Sequence, residues 1–327
     1  MSGIEKLQGG KRATFNENDA RYPATLKELD DPPKCLHTIG NVDLLQRPSL
    51  AIVGARKATP YGLDCARRFA KRAARRGICI VSGGAIGCDR ASHEGALEVG
   101  GSTVVVLGGG ADVVYPKSGR DLFEEVLARG GTLVSEAPWG AGVNRWCFVR
   151  RNRIIAGLAR VTLIVEAGLP SGTFTTADAT LAQGKDVMAV PGSIASRESR
   201  GSNQLLLQGA RPVVDDDSFD DAMSDVFGEA YGHGIPGRKK RVTQSANIQE
   251  VIPFSETGDP EGAEAIAVPI DEKLIWALKA RPYTAEELAG HNGISISECI
   301  RILSTLEFNG SIERMRDGRY GIISSEC

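Results

Sequence analysis

With 327 residues, 42% of them hydrophobic, the chain can bury one large core plus a smaller domain, or two ordinary domains. Its 39 basic and 41 acidic residues nearly cancel to a formal charge of −2, so overall charge neither demands nor excludes an anionic partner, and any anion site has to be a local concentration of cations. No run approaches the roughly 20 apolar residues that a bilayer span needs, and the N-terminal MSGIEKLQGGKRATF lacks the apolar core of a signal peptide, so a cytoplasmic protein without a membrane partner is expected.

Residues 1–48 read as an N-terminal extension. From Leu50 to Val214, short β-rich runs alternate with helical stretches. The expected strands are LAIVGA, ICIVSGG, STVVVLGGG, TLVSE, VTLIVEA and DVMAVPG, apolar at successive positions, as strands of a parallel sheet covered on both faces are. Connections such as YGLDCARRFAKRAARRG are long enough for crossover helices. The fold class predicted for residues 49–227 is therefore α/β, a doubly wound, mainly parallel, Rossmann-like sheet. Ligands of such sheets bind beyond the C-terminal strand ends where the strand order reverses, so functional residues are expected just after the strands.

Residues 228–268 change character. They are rich in Gly, polar and charged residues without a sustained period, and predict a flexible linker that carries the basic cluster Arg238-Lys239-Lys240-Arg241. Residues 269–327 then give an amphipathic helix (DEKLIWALKA), a short helix (AEELAG), a third with apolar Ile300, Leu303 and Leu306, and a hairpin around Asp317-Gly318. Three helices and a two-stranded hairpin form the winged helix-turn-helix pattern. Nucleic-acid binding and protein docking both remain open for it. Arg301 alone, against Glu298 and Glu307, does not suit base-specific reading of a major groove.

The chemistry concentrates at two places. Arg145, Arg150, Arg151 and Arg153 crowd into nine residues with Trp146 and Phe148 interleaved, directly before a buried strand. Guanidinium groups beside flat rings suit single-stranded nucleic acid, whose phosphates they meet and whose unpaired bases stack at about 1–3 kcal/mol each. The plainer alternative is a helix start whose arginines pair with carboxylates such as Glu136 or Glu166. Further on, Ser171, Gly172 and Thr173 follow a strand and open a helix, bringing backbone N–H groups, hydroxyls and the positive end of the helix dipole to the strand-end crevice. That is an anion cradle, or an ordinary capped helix start. The loops Ser82-Gly83-Gly84 and Gly108-Gly109-Gly110 repeat the theme less specifically.

Other chemistries find little support. The chain has no G-x-x-x-x-G-K-[ST], and no G-x-G-x-x-G after the first strand with an acid about 20 residues on, so neither an ATP-driven motor nor a dinucleotide cofactor is expected. Seven scattered cysteines, with no C-x-x-C pair and no histidine at metal spacing, predict neither disulfides nor a zinc site. Asp89 and His93, four residues apart on a helix, could form an acid–base unit or a structural hydrogen bond. Glu166 at a strand end is the best lone acid. No catalytic residues, cofactor or metal are assigned.

Six motifs carry a resemblance. GARKATPYG, SGGAIGCDRASHEGAL, GGGADVVYP, FVRRNRIIAGL, SGTFTTA and VPGSIASRESRGSNQLLLQGA occur in the order in which the DprA/Smf DNA-processing family has them, from about Tyr22 to Val214. The C-terminal pattern also looks like the winged helix that many of its members carry. The resemblance implies an extended Rossmann domain that binds single-stranded DNA in a basic pocket, protects it and helps load the RecA recombinase in natural transformation, acting as a homodimer and without catalysis. On that likeness the pocket arginine falls on Arg56, the basic residue ahead of the aromatic on Arg145, and the stacking aromatic on Phe148. Arg151, Asn152 and Arg153 match the R-N-R core, and Ser171 and Gly172 the Ser-Gly turn. The sequence departs from the family pattern at Val149, Ile86 and Cys88, and around Ser118-Gly119. An N-terminal helical domain found in many relatives is not expected ahead of Tyr22. A rival resemblance, to nucleotide-monophosphate phosphoribohydrolases, lacks the carboxylate of their P-G-G-x-G-T-x-x-E motif, because Thr176 stands in its place.

Overall fold

The computed structural model describes residues 6–7, 9–232, 274, 278, 282–292, 294–308, 312–315 and 318–322. The chain divides into two compact units, Met1–Arg241 and Val242–Cys327.

The first unit is built on a nine-stranded sheet. Its strands in chain order are β1 (Arg12–Asn16), β2 (Cys35–Gly40), β3 (Ser49–Val53), β4 (Cys79–Ser82), β5 (Thr103–Val106), β6 (Thr132–Ser135), β7 (Val161–Ile164), β8 (Asp186–Ala189) and β9 (Arg211–Pro212). In space they run β1-β2-β6-β5-β4-β3-β7-β8-β9. β3 to β8 are the six runs expected from sequence, and all their pairings with one another are parallel. The N-terminal extension is part of this sheet: β1 pairs antiparallel with β2, and β2 antiparallel with β6.

Every residue of β3 to β7 is buried, which is why these strands read as unbroken apolar runs. Successive side chains serve opposite layers. Leu50 and Ile52 of β3 join the core under helices α2 (Pro60–Ala74), α3 (Cys88–Glu98) and α8 (Asp216–Phe227). Ala51 and Val53 join the core under α5 (Arg145–Leu158) and α6 (Thr173–Ala182). Helix α2 starts on Thr59, whose side chain caps the Gly62 N–H, with Pro60 in the first turn where its missing N–H is harmless. Asp220 of α8, buried, accepts from Arg72 of α2, from Arg76 just beyond its end and from the Tyr231 hydroxyl, which fixes α8 to α2.

The chain lays down β3, β4, β5 and β6 in one direction and then returns to place β7 on the other side of β3. The strand order therefore reverses between β3 and β7, which pair through Leu50↔Val161 to Val53↔Ile164. The crevice at their C-terminal ends is the natural ligand position of this fold.

In the second unit, helices Ala285–Asn292 and Ile296–Phe308 precede a hairpin of β10 (Ile312–Arg314) and β11 (Tyr320–Ile322). Thr284 and Glu287 form a capping box ahead of the first of these helices. Leu274, Leu278, Leu288, Cys299, Leu303, Leu306, Ile312 and Tyr320 make the core. Ile300, expected on the buried face, is 45% exposed instead, and Cys299 takes the inward position one residue earlier. Leu274 and Leu278 apart, the first expected helix of this unit lies outside the described residues, as do the linker from residue 233 on, Arg238–Arg241 and Asp317. Among the described residues no helix is long and apolar enough to cross a membrane.

Candidate functional site

A cavity of about 610 Å³ opens at the switch point. One wall is the chain leaving β3, Val53 to Lys57; the facing wall is the chain after β7, Gly168 to Thr173; helix α5 closes a third side.

Asn144 starts α5 by accepting the Cys147 N–H through its side chain at 3.0 Å. Helical spacing then sorts the side chains. Arg145, Phe148, Asn152 and Ile155 line the cavity, whereas Arg150 and Arg153 leave the other side of the helix for Glu136. The Arg153 guanidinium meets both Glu136 oxygens, at 3.0 and 2.8 Å, and its Nε donates to the Asp31 carbonyl. For these two arginines the plainer alternative of the sequence, a carboxylate partner, describes the geometry.

Phe148 stands between two partners. The Arg56 guanidinium carbon lies 5.3 Å from its ring centroid, and the Tyr115 ring is tilted 35° to it at 5.3 Å. Gly108 makes room for the ring, which a Cβ there would press. The Arg56 loop is fixed from behind by Gly87. That residue has φ +86, and a side chain on it would collide with the carbonyls of Ala55 and Arg56.

Arg151 forms the floor and is only 5% exposed. Its Nη1 donates to the Val106 carbonyl at 2.6 Å, while its Nε has no hydrogen-bond partner among the described residues. Burial pulls its pKa down to about 10, with Asp89 opposing that pull and Arg56 adding to it, so the side chain stays charged near neutrality. Asp89, also buried, accepts the Gly83 N–H at 3.1 Å; burial pushes its carboxyl upward and the charge of Arg151 opposes that. Ser82, Gly83 and Gly84 lie beneath the cavity and do not line it. Ser82 donates to the Ile52 carbonyl, a Cβ at Gly83 would overlap the Arg151 guanidinium, and one at Gly84 would meet Val105 and Phe123.

On the facing wall the Ser171 hydroxyl accepts the Thr173 N–H and donates to the Thr173 hydroxyl, shaping the start of α6. Asn152 donates to the Thr175 hydroxyl at 2.6 Å and ties α5 to α6. Thr176, where the hydrolase motif has its acid, lines the cavity with a hydroxyl.

Eight of the twelve residues assigned from sequence thus converge on one cavity: Arg56, Arg145, Phe148, Arg151, Asn152, Ser171, Gly172 and Thr173. Lys57, Tyr115 and Arg197 join them without having been singled out. Lys57 and Tyr115 sit inside quoted motifs beside assigned residues; Arg197 comes from the loop after β8, which no local signal directs to this crevice. Five cations face two carboxylates, Asp89 and Glu198, and among the described residues Arg56, Lys57, Arg145 and Arg197 have no ion-pair partner.

Asp89 and His93 do not form a pair. His93 is fully buried with Nδ1 2.7 Å from the Thr103 hydroxyl, which itself donates to the Ile80 carbonyl, so Nδ1 carries the proton and Nε2 is left without a partner. Burial lowers its pKa to about 3 and keeps it neutral. Glu166, also buried, accepts the N–H and hydroxyl of Thr59 and so caps α2.

Protein Smf of Escherichia coli (strain K12) is 36% identical to this chain over 250 residues, 76% of the chain and 66% of that protein. The structure of DNA processing protein A from Streptococcus pneumoniae matches with a TM-score of 0.59 at 36% identity, over 64% of this chain and 73% of that one. DNA processing protein A of Helicobacter pylori, studied for its single-stranded DNA binding mode, matches with a TM-score of 0.60 at 29% identity, over 66% of this chain and 98% of that one. The family model of DNA recombination-mediator protein A covers residues 13–225, more than half of the sequence, and the chain belongs to that family, DprA/Smf.

Proposed function

We propose that this DNA recombination mediator binds single-stranded DNA in the switch-point cavity, without catalysis, protects the strand and helps load RecA onto it during DNA uptake in the cytoplasm. The observation that carries the binding reading is the convergence on one crevice of four cations without an ion-pair partner among the described residues, one buried guanidinium and the Phe148 ring. Arg56, Arg145 and the N–H groups of Ser171 and Gly172 take phosphates, and Phe148 stacks a base. Arg151 supplies a fixed positive charge beneath them. Arg153, held by Glu136, keeps α5 in register and stays out of the contact set. The RecA step rests on family membership. A homodimer is supported by the exposure of Ile194, Leu207 and Val214, at 92%, 91% and 66%, all following β8.

Because phosphate contacts release condensed counterions, affinity for a single strand falls with salt by a log–log slope of about −0.7 per contact. Arg56→Ala is expected to flatten that slope by about 0.7, and Phe148→Ala to lower affinity by about 1–3 kcal/mol with the slope unchanged. Fluorescence anisotropy of labelled oligonucleotides, single- and double-stranded, across a salt series measures both. Wild-type affinity and slope in the two variants would overturn the site. Leu207→Glu, followed by sedimentation, tests the dimer, and RecA's DNA-dependent ATPase with and without the chain tests loading.

A further inference from the structure

A second cavity, of about 510 Å³, lies beside the first and the binding reading leaves it unused. Three segments each serve both. The chain after β3 gives Arg56 and Lys57 to the first cavity and Thr59 and Tyr61 to the second. The chain after β7 gives Gly168 to the first and Glu166 to the second, and the loop after β8 gives Arg197 to the first and Ser196 to the second. Residues one to three positions apart on three separate segments thus face one cavity or the other, so the two share a wall. Lys57 and Arg197 stand on that wall, both without an ion-pair partner among the described residues.

The second cavity has the parts of a base site. Tyr61 is 49% exposed, yet its ring is held in place because the hydroxyl donates to the Pro191 carbonyl at 2.8 Å. Tyr61 and Pro191 make an apolar platform of the kind on which bases stack. Glu166, 1% exposed, contributes the polar end. Its two oxygens each accept one hydrogen bond, from the Thr59 hydroxyl at 2.6 Å and the Thr59 N–H at 2.9 Å. A carboxylate has about four acceptor sites and no donor, so a further group reaching it has to bring a donor hydrogen, which on a base means an N–H. Cytosine, adenine and guanine carry an exocyclic amino group for this; thymine has the O4 carbonyl where cytosine has its amino group, and its one N–H on that edge is flanked by two carbonyl oxygens.

We propose that this second cavity receives the neighbouring nucleotide of the same strand, with its base on Tyr61, the linking phosphate at Lys57 and Arg197, and Glu166 favouring bases that carry an amino group. The proposal rests on the single-stranded DNA reading of the first cavity and extends it to a preference along the strand.

The test uses the full chain and oligo(dT) and oligo(dC) of equal length, long enough to cross both cavities, at neutral pH. Wild type is expected to bind oligo(dC) about fivefold more tightly, one net hydrogen bond's worth. Tyr61→Ala is expected to weaken both oligonucleotides about tenfold, the lower part of the range for a lost base stack. Glu166→Gln still offers Thr59 an acceptor and brings the oligo(dC) to oligo(dT) ratio toward one. Should that variant fail to fold, as judged by its melting curve, Tyr61→Ala and the wild-type ratio carry the test. Equal affinity for the two oligonucleotides together with wild-type binding by Tyr61→Ala overturns the second subsite while Arg56→Ala still reports on the first. Loss of no affinity in Arg56→Ala overturns the first reading, and with it this one.

Discussion

Four arginines stand within nine residues at the start of α5, and helical phase gives them three fates. Arg150 and Arg153 turn to Glu136 and act as structure. Arg145 projects into the cavity without an ion-pair partner among the described residues, and Arg151 points under it, buried against the Val106 carbonyl. Residue type and density are the same on both sides of the helix; what differs is whether a carboxylate from a neighbouring strand end stands within reach. A cation cluster in a sequence therefore marks a place where charge is used, and the opposite walls decide whether it is used on an external anion.

The largest effect is expected where the buried arginine is constrained. Gly83→Ala places a methyl group on the Arg151 guanidinium, which has to give up its bond to the Val106 carbonyl and move up into the cavity. Overpacking of this kind costs about 3 kcal/mol, and because Arg151 has to leave the floor, single-strand affinity falls as well. Chemical denaturation and anisotropy on one preparation check this, and wild-type stability would show that Arg151 can relocate freely.

Arg153→Ala separates the two sides of α5 more sharply. It leaves Glu136, whose side chain is mostly buried, with only the longer 3.4 Å contact to Arg150, and is expected to cost about 2 kcal/mol of stability, in the range for charge-assisted bonds. The salt slope of DNA binding should stay as in wild type. A flattened slope would put Arg153 in contact with phosphate.

His93 contrasts with Arg151 in the same way. Both are buried, but the imidazole is held neutral while the guanidinium keeps its charge. With a folded pKa of about 3 against an ordinary value of 6.5, His93 binds a proton in the unfolded chain first. Its contribution is therefore intact above pH 6.5 and is lost as pH falls from there toward 3. The expected loss is about 1 kcal/mol by one pH unit below the ordinary value. Asp89, with its carboxyl raised, contributes in the opposite sense, so the informative quantity is the difference from His93→Asn, which keeps a donor for Thr103 and does not titrate. Identical pH profiles for the two proteins would remove His93 as the cause.

The parallel sheet was legible because its strands are buried on both faces, and continuous apolar runs are what such burial selects. The site was legible where its residues follow strands or open helices: Arg56 after β3, and Ser171 to Thr173 after β7. For Arg153 the sequence offered Glu136 as an alternative partner, but which arginines of α5 turn to it is set by helical phase and by where the chain leaves β6. The site was not legible for Ser82 to Gly84, where a glycine that makes room for a buried side chain reads the same as one that makes room for a ligand. Arg197 could not be assigned because the return of the loop after β8 to the crevice is a property of the strand order. The sheet likewise absorbed residues 12–16 and 35–40, whose antiparallel pairing leaves no run of apolar residues comparable to that of β3.

The smallest expected change in stability is the one that tells most about why Arg145 is there. It occupies the first turn of α5, which holds no acidic residue, so a positive side chain meets the positive end of the helix dipole. In the free protein that arrangement is unfavourable by about 0.3–1 kcal/mol, and Arg145→Ala should therefore stabilise the fold by about 0.5 kcal/mol at low salt. The same substitution should weaken single-strand binding and flatten its salt slope by about 0.7, since the phosphate that offsets the repulsion loses its partner. Opposite signs in stability and affinity from one substitution are the signature of a residue placed for an external anion. If Arg145→Ala instead destabilised the protein and left the slope alone, Arg145 would belong with Arg150 and Arg153 on the structural side of the helix.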